Sequence, residues 1–106
     1  MENKIIFNRI SNWIIENLTK YEIISELYLI GSVVRKNFEI INDVDILQKL
    51  NESSKTDLQN YSLVLIQLKT DFQFEFKKSL HITTFTSNEY KTFEIFLNMN
   101  KNIKLL

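Results

Sequence analysis

Residue types that usually shape the turns and cross-links of small proteins are missing or nearly missing from this 106-residue chain. Because there is no cysteine, disulfides, thiolate zinc sites and cysteine nucleophiles are excluded, which fits a reducing cytoplasm. Proline is absent and glycine occurs once, so the turns must depend on Asn, Ser, Asp and Lys. This scarcity draws attention to Gly31, because glycine permits backbone conformations that other residues avoid.

The chain also lacks an excess of either charge, since 13 basic and 13 acidic residues give a net charge of zero. No basic tail or long charge run is present, which argues against an extended nucleic-acid surface, although a small phosphorylated substrate needs only local contacts. No apolar run approaches membrane-spanning length, and the first residues do not have the pattern of a signal peptide. The sequence predicts one small cytoplasmic domain over residues 1–106, and a homo-oligomer is compatible with it.

Apolar spacing and turn residues divide the chain into alternating helices and strands. In chain order we predict a helix over 3–19, a strand over 26–30, a turn or helical turn over 32–37 and a strand over 43–47. A helix to about residue 75, a strand over 80–85 and a helix opened by a capping box at 86–89 follow. The order α-β-(turn)-β-α-β-α predicts an α+β fold. Its small mixed β-sheet would be covered by helices mainly on one face and open on the other around two aspartates.

Two segment ends allow more than one interpretation. Phe72, Phe74 and Phe76 alternate as they would in a strand, yet they also fit the end of the second helix, which we favour. The last residues, 103–106, fit core packing, a short edge strand or a contact with a partner.

Gly31 and Ser32 follow a hydrophobic strand. A glycine in that place lets backbone N–H groups approach a ligand closely, and the serine adds a hydroxyl donor at the start of a helical turn. Together they predict a concave site for a phosphate. Taken alone, Gly-Ser is a weak pattern that a plain turn explains better.

Asp43 and Asp45 are separated by one apolar residue in a predicted strand. Both carboxylates should therefore project from one face, roughly 7 Å apart along the chain. Two like charges side by side repel, and a divalent cation removes that penalty; Mg²⁺ is commonly bound by one or two carboxylates together with substrate phosphates. Taken alone, the pair is better explained as a solvated strand face.

The two features together, separated by ten residues, resemble the signature of the DNA polymerase beta-like nucleotidyltransferase superfamily. The matching segments are Gly-Ser-Val-Val-Arg-Lys at 31–36 and Asn-Asp-Val-Asp-Ile at 42–46. The chain is most similar to the minimal nucleotidyltransferases, which are single small domains often encoded as antitoxins. The resemblance covers most of residues 22–97, and its specific part is 31–46.

This resemblance implies a nucleotidyltransferase-like fold and a Mg²⁺-dependent transfer of AMP from ATP to a hydroxyl of a partner protein. It implies that Asp43 and Asp45 are catalytic and bind the metal. It implies that the triphosphate is bound by Gly31, Ser32, Arg35 and Lys36. The partner in this family is typically a small helical ribonuclease toxin of the HEPN type.

The chain departs from the family pattern at two places. Asn42 stands where the family most often has serine. The superfamily also places a third carboxylate on a later strand, expected here within 80–85, and that strand contains no acid. His81 and Thr83 alternate on one of its faces, and a histidine there could bind a metal, act as a base or simply pack.

The missing acid leaves more than one function open. Glu39, Glu75 and Glu89 are the candidates to replace it in space. The protein is either an active nucleotidyltransferase or a catalytically degenerate module of the same fold that neutralises its partner by contact. A plain α+β domain without ligand chemistry would leave the glycine and the spaced aspartates unexplained.

Overall fold

The computed structural model of this chain describes residues 2–35, 42–51 and 55–106, except for the side chains of residues 2–4, 32 and 35. The helices of these segments are α1 (Glu2–Leu18), α2 (Lys55–Phe76) and α3 (Tyr90–Met99), and the strands are β1 (Ile24–Ile30), β2 (Asp43–Leu50), β3 (Ser79–Thr86) and β4 (Asn102–Lys104). Two short 3-10 helices, Gly31–Arg35 and Ser87–Glu89, follow β1 and β3. The predicted α+β fold and element order are confirmed, with β4 added at the end.

The four strands form one mixed sheet in the order β3-β2-β1-β4. β1 runs antiparallel to both β2 and β4. β2 and β3 are parallel, as expected for two strands that are joined through a helix. In this parallel pair Asp43 lies beside Ser79, and Asp45 lies beside His81.

One face of the sheet packs against α1 and α2 and holds the larger core. Buried apolar side chains alternate along β2 on this face, at Val44, Ile46 and Leu50, as the period of a strand requires. Helical spacing supplies the other half of the core from Ile10, Ile14, Leu18, Leu68 and Phe72. Burial of this apolar area is the main favourable term in folding.

α3 covers part of the opposite face. Phe93 packs there with Tyr28, Ile30 and Leu47, and the half-buried Phe85, Phe96 and Leu97 complete this smaller cluster. Since two of the three described helices lie on the first face, the predicted one-sided covering is confirmed. The part of the second face that carries Asp43 and Asp45 remains accessible.

The end of α2 settles the ambiguity over the alternating phenylalanines. The helix continues through Phe76, with Phe72 buried and Phe74 79% exposed. Lys77 then adopts a left-handed conformation with φ of 58°, and its N–H donates to the carbonyl of Gln73 at 2.9 Å. This is the usual way a helix closes its last turn, so the strand interpretation is wrong.

The two remaining boundaries follow from local hydrogen bonds. Glu89 accepts hydrogen bonds from the backbone N–H and the hydroxyl of Thr86, both at 3.0 Å, so the capping box is confirmed. Two of the three interpretations for residues 103–106 are confirmed. Ile103 and Lys104 form an edge strand with Leu29 and Tyr28 of β1, and Ile103 and Leu105 also pack against the main core.

Candidate functional site

Gly31 ends β1 in a conformation that favours glycine. Its φ is 70°, and a Cβ built on it would lie 3.0 Å from Oδ2 of Asp45. An L side chain would be strained by that φ and would also crowd the carboxylate. The turn and the second aspartate of the sequence pattern are therefore in close contact, because Ile30 pairs with Asp45 across the sheet.

The turn is anchored by its apolar residues. Val33 is fully buried in the main core and Val34 packs against it, which holds the 3-10 helix Gly31–Arg35 at the end of the sheet. Ser32 and Arg35 belong to this helix by their backbone, but their side chains lie outside the described residues, and so does all of Lys36.

Asp43 and Asp45 project from the same face of β2, on either side of the buried Val44. The side chain of Asp43 is 50% exposed and that of Asp45 is 36% exposed. Burial raises the pKa of the Asp45 carboxyl; the nearby His81 lowers that pKa and Asp43 raises it. Partial burial next to a like charge disfavours the ionised form, and a cation bound at this place would offset the repulsion.

His81 lies over both aspartates from the neighbouring strand. Its Nε2 is 3.7 Å from Oδ1 of Asp43, and its Nδ1 is 3.7 Å from Oδ1 of Asp45. These distances exceed those of a hydrogen bond, so the ring faces the two carboxylates without being bonded to either. The histidine lies on β3, the strand on which the sequence resemblance predicts a third carboxylate.

The acids proposed to replace the missing carboxylate lie elsewhere. Glu75 pairs with Arg9 of α1 at 3.4 Å, and Glu89 is engaged in the capping box beyond the far end of β3. Glu39 lies outside the described residues. Among the residues that are described, no group of three or more His, Asp or Glu side chains is arranged to hold a metal ion.

The pair of carboxylates nevertheless fits Mg²⁺ in its donor chemistry. Both are oxygen donors and partly exposed, and Mg²⁺ prefers oxygen ligands and keeps several from water or substrate phosphates. The space beside Asp45 that a side chain on Gly31 would fill is left free. The residues that would hold the ion are therefore Asp43 and Asp45.

Ser79 joins this site although sequence reasoning did not single it out. It is the register partner of Asp43, and its N–H donates to the carbonyl of Asn42 at 3.0 Å. Ser79, His81 and Thr83 share one face of β3 because side chains alternate along a strand. The parallel register was the missing information, since a shift by one residue would have moved Ser79 and His81 to the other face.

A cavity of about 620 Å³ lies at the opposite end of the sheet, beside the start of β1 and the end of β2. Its lining includes Tyr21 and Tyr61, whose ring centroids are 5.7 Å apart. It contains no residue of the Gly31–Asp45 pattern. The cavity and the candidate site around Gly31 and Asp45 are therefore separate parts of the surface.

Comparison of the chain with protein-family models, with curated proteins and with solved structures gives no match. None of the helices in the described segments has the length and apolarity needed to span a bilayer. The structure therefore defines this protein by its architecture. It is an α+β domain with a four-stranded mixed sheet, a glycine turn at one end of that sheet, and two aspartates and a histidine beside the turn.

Proposed function

We propose that this protein is a nucleotidyltransferase-type antitoxin of the cytoplasm that transfers AMP from ATP to a hydroxyl of a partner protein. The observation that carries the proposal is the contact between the turn at Gly31 and the carboxylate of Asp45. It joins a turn of the kind that binds phosphate to a carboxylate pair of the kind that binds Mg²⁺. A nucleoside triphosphate with its metal ion is the ligand that needs both at one place.

In this proposal the backbone N–H groups at Gly31 and Ser32 bind the triphosphate, and Arg35 and Lys36 contribute positive charge to it. Asp43 and Asp45 hold Mg²⁺, which when bound would offset the negative charge of the phosphates and of the leaving pyrophosphate. The protein's own contribution is to hold the α-phosphate in line with the attacking hydroxyl. Positioning and electrostatic stabilisation supply most of the rate in such displacements.

The reaction itself is a balanced group transfer. The acceptor oxygen forms a bond to the α-phosphorus of ATP, the bond to pyrophosphate breaks, and the hydroxyl proton is released. We propose that a partner protein, a small helical toxin of the HEPN type, supplies the acceptor hydroxyl.

A second candidate function rests on His81. Its ring stands over both carboxylates at 3.7 Å, in the place where a third oxygen ligand and general base would be expected. If the site has lost catalysis, the same fold neutralises its toxin by contact and retains the glycine turn as part of its framework.

Labelling of the partner separates the two functions. The chain is incubated with Mg²⁺, ATP labelled in the α-phosphate and the product of the neighbouring gene. The active enzyme should label that product, and the double variant Asp43→Asn with Asp45→Asn should not. Asp71→Asn is the matched control, because Asp71 is an exposed acid of α2 that accepts a hydrogen bond from Gln67.

Other outcomes would favour neutralisation by contact or contradict parts of the proposal. Neutralisation of the toxin by the double variant, without labelling by the wild type, would establish the contact mechanism. If millimolar Mg²⁺ and ATP also fail to raise the melting temperature, no nucleotide site is present. The absence of a helical toxin gene beside this one would contradict the antitoxin role itself.

A further inference from the structure

The two edges of the sheet are built differently. β4 is three residues long, and Lys101 and Lys104 are exposed at or beside it. β3 is eight residues long and pairs with β2 along its whole length without a register shift. Short edge strands, lysines and bulges are the devices that keep sheet edges from pairing with other chains. β4 is short and contains a lysine, whereas β3 is long and contains none within its eight residues.

The outer side of β3 therefore offers a regular pairing surface. Within the described segments the sheet ends at β3, and no strand pairs with its outer side. The backbone N–H and C=O groups on that side form a template on which an extended segment can pair in register. The strand sequence, Ser-Leu-His-Ile-Thr-Thr-Phe-Thr, is rich in β-branched and aromatic residues and contains no Lys, Arg, Asp or Glu.

We propose that two copies of this chain pair through β3, antiparallel, and form a dimer with a continuous eight-stranded sheet. A two-fold axis perpendicular to the sheet keeps the faces continuous, so residues of one face lie opposite each other. With the axis at Thr83, the two Thr83 side chains are adjacent and His81 lies opposite Phe85 of the second copy. No pair of like charges is created along the strand.

The charges that flank β3 also favour pairing with a second copy of this chain. Lys77 and Lys78 precede the strand, and Glu89 follows it. Antiparallel pairing brings the end of the strand that follows Lys77 and Lys78 in one copy beside the end that precedes Glu89 in the other. A parallel arrangement would instead bring the lysines of both copies together. Charge thus selects the antiparallel pair of identical strands.

The edges that remain exposed in the dimer explain why assembly should stop at two copies. Once the β3 edges are paired, both outer edges of the eight-stranded sheet are β4 strands, which are short and lined by lysine. Further addition of strands is disfavoured there. The proposal does not depend on the proposed nucleotidyltransferase function, although it would place His81 on the strand next to the dimer axis and both candidate sites on the same face.

Sedimentation of the full chain tests the proposal. We expect a species of twice the 12.7 kDa chain mass that dissociates on dilution. Thr83→Lys places two ammonium groups at the axis and should weaken the dimer by about ten-fold or more. Thr92→Lys is the matched control, since Thr92 is exposed on α3 and should leave the dimer unchanged.

A second measurement guards against misfolding of the lysine variant. Because the chain has no cysteine, Thr83→Cys introduces a single thiol that should form an intermolecular disulfide under mild oxidation, faster than Thr92→Cys does. A wild-type chain that stays monomeric up to about 200 µM would overturn the proposal. So would a folded Thr83→Lys variant with undiminished dimerisation, open-ended assembly of the wild type, or equal cross-linking of the two cysteine variants.

Discussion

His81 of β3 and Asp45 of β2 are register partners in the parallel part of the sheet, with Nδ1 3.7 Å from Oδ1. The same ring lies equally close to Asp43 through its other nitrogen. This relationship bears on the proposed Mg²⁺ site, because a histidine would contribute one nitrogen where an acid would contribute two oxygens. It also makes position 81 the most direct place to test the proposed metal site.

We predict that His81→Asp increases the response of the protein to Mg²⁺. Three neighbouring carboxylates repel one another, so the variant should melt below the wild type without divalent cations. Added Mg²⁺ should raise its melting temperature by more than it raises that of the wild type, because the ion binds only the folded state. Thermal unfolding followed by circular dichroism measures both effects.

His81→Asn is the control, since it removes the ring without adding a charge. If the Mg²⁺ response of His81→Asp equals that of His81→Asn, the two aspartates and position 81 do not form one cation site. If α-labelled ATP is a substrate, the same pair of variants shows whether an acid at this position raises transfer to the partner.

Gly31→Ala should destabilise the fold and disturb the site together. The φ of 70° costs an alanine about 1 kcal/mol or more, and its Cβ would lie 3.0 Å from Oδ2 of Asp45. Urea unfolding measures the loss in the free energy of unfolding. Gly31→Asn separates the two causes, because asparagine tolerates a left-handed backbone better but carries the same Cβ.

A loss that is equal for alanine and asparagine would assign the effect to crowding of Asp45. A smaller loss for asparagine would assign it to the backbone. Stability unchanged in both variants would contradict the conformation of this turn.

Periodicity was sufficient to predict the three helices and the first three strands, because their signals are local. Ile10 and Ile14 mark the buried side of α1, and Val44 alternates with two acids in β2, so each face is visible in a short window. Thr86 and Glu89 mark the start of the turn into α3 in the same way. These features depend on neighbours within four residues.

What sequence reasoning left open depended on contacts between distant segments. Nothing near His81 indicates that it lies beside Asp45, since their pairing is set by the length of α2 and the parallel register. Glu75 was a reasonable candidate for the third acid until its position against Arg9 was known. The short β4 was one of three alternatives because three residues carry too weak a pattern to choose among them.

Glu26 should make the stability of the fold depend on pH on the acidic side. The hydroxyl of Tyr28 donates to Oε1 of Glu26 at 2.6 Å and Lys49 lies 3.2 Å from Oε2. The Tyr28 hydrogen bond is the largest cause of the lowered pKa of Glu26, and Lys49 acts in the same direction. Burial, together with this hydrogen bond, raises the pKa of Tyr28 to about 12.

A carboxyl whose pKa is lowered on folding stabilises the fold above its unfolded pKa, and this contribution is lost as the pH falls through the folded pKa. We therefore expect Glu26→Gln to cost about 1 kcal/mol at pH 7 and to differ less from the wild type below about pH 4. Urea unfolding at several pH values checks this. Glu94→Gln, at an exposed acid of α3, is the control, and a difference that does not change with pH would contradict the prediction.

Tyr61→Phe should destabilise the protein through Gln48, which is fully buried between α2 and β3. The Tyr61 hydroxyl donates to Oε1 of Gln48 at 2.7 Å, and Nε2 of Gln48 donates to the hydroxyl of Thr84 at 2.9 Å. Removing the tyrosine hydroxyl leaves a buried amide oxygen without this donor, at a cost of about 1–3 kcal/mol in the free energy of unfolding.

Gln48→Met tests whether that loss in the free energy of unfolding comes from the hydrogen bond between Tyr61 and Gln48. Methionine has a similar shape and needs no hydrogen bond, so Tyr61→Phe combined with Gln48→Met should cost clearly less than the sum of the two single changes. Urea unfolding of the four proteins gives the coupling energy directly. Strict additivity would mean that the hydroxyl and the amide do not stabilise the fold together, and that α2 is held on the sheet by apolar contacts alone.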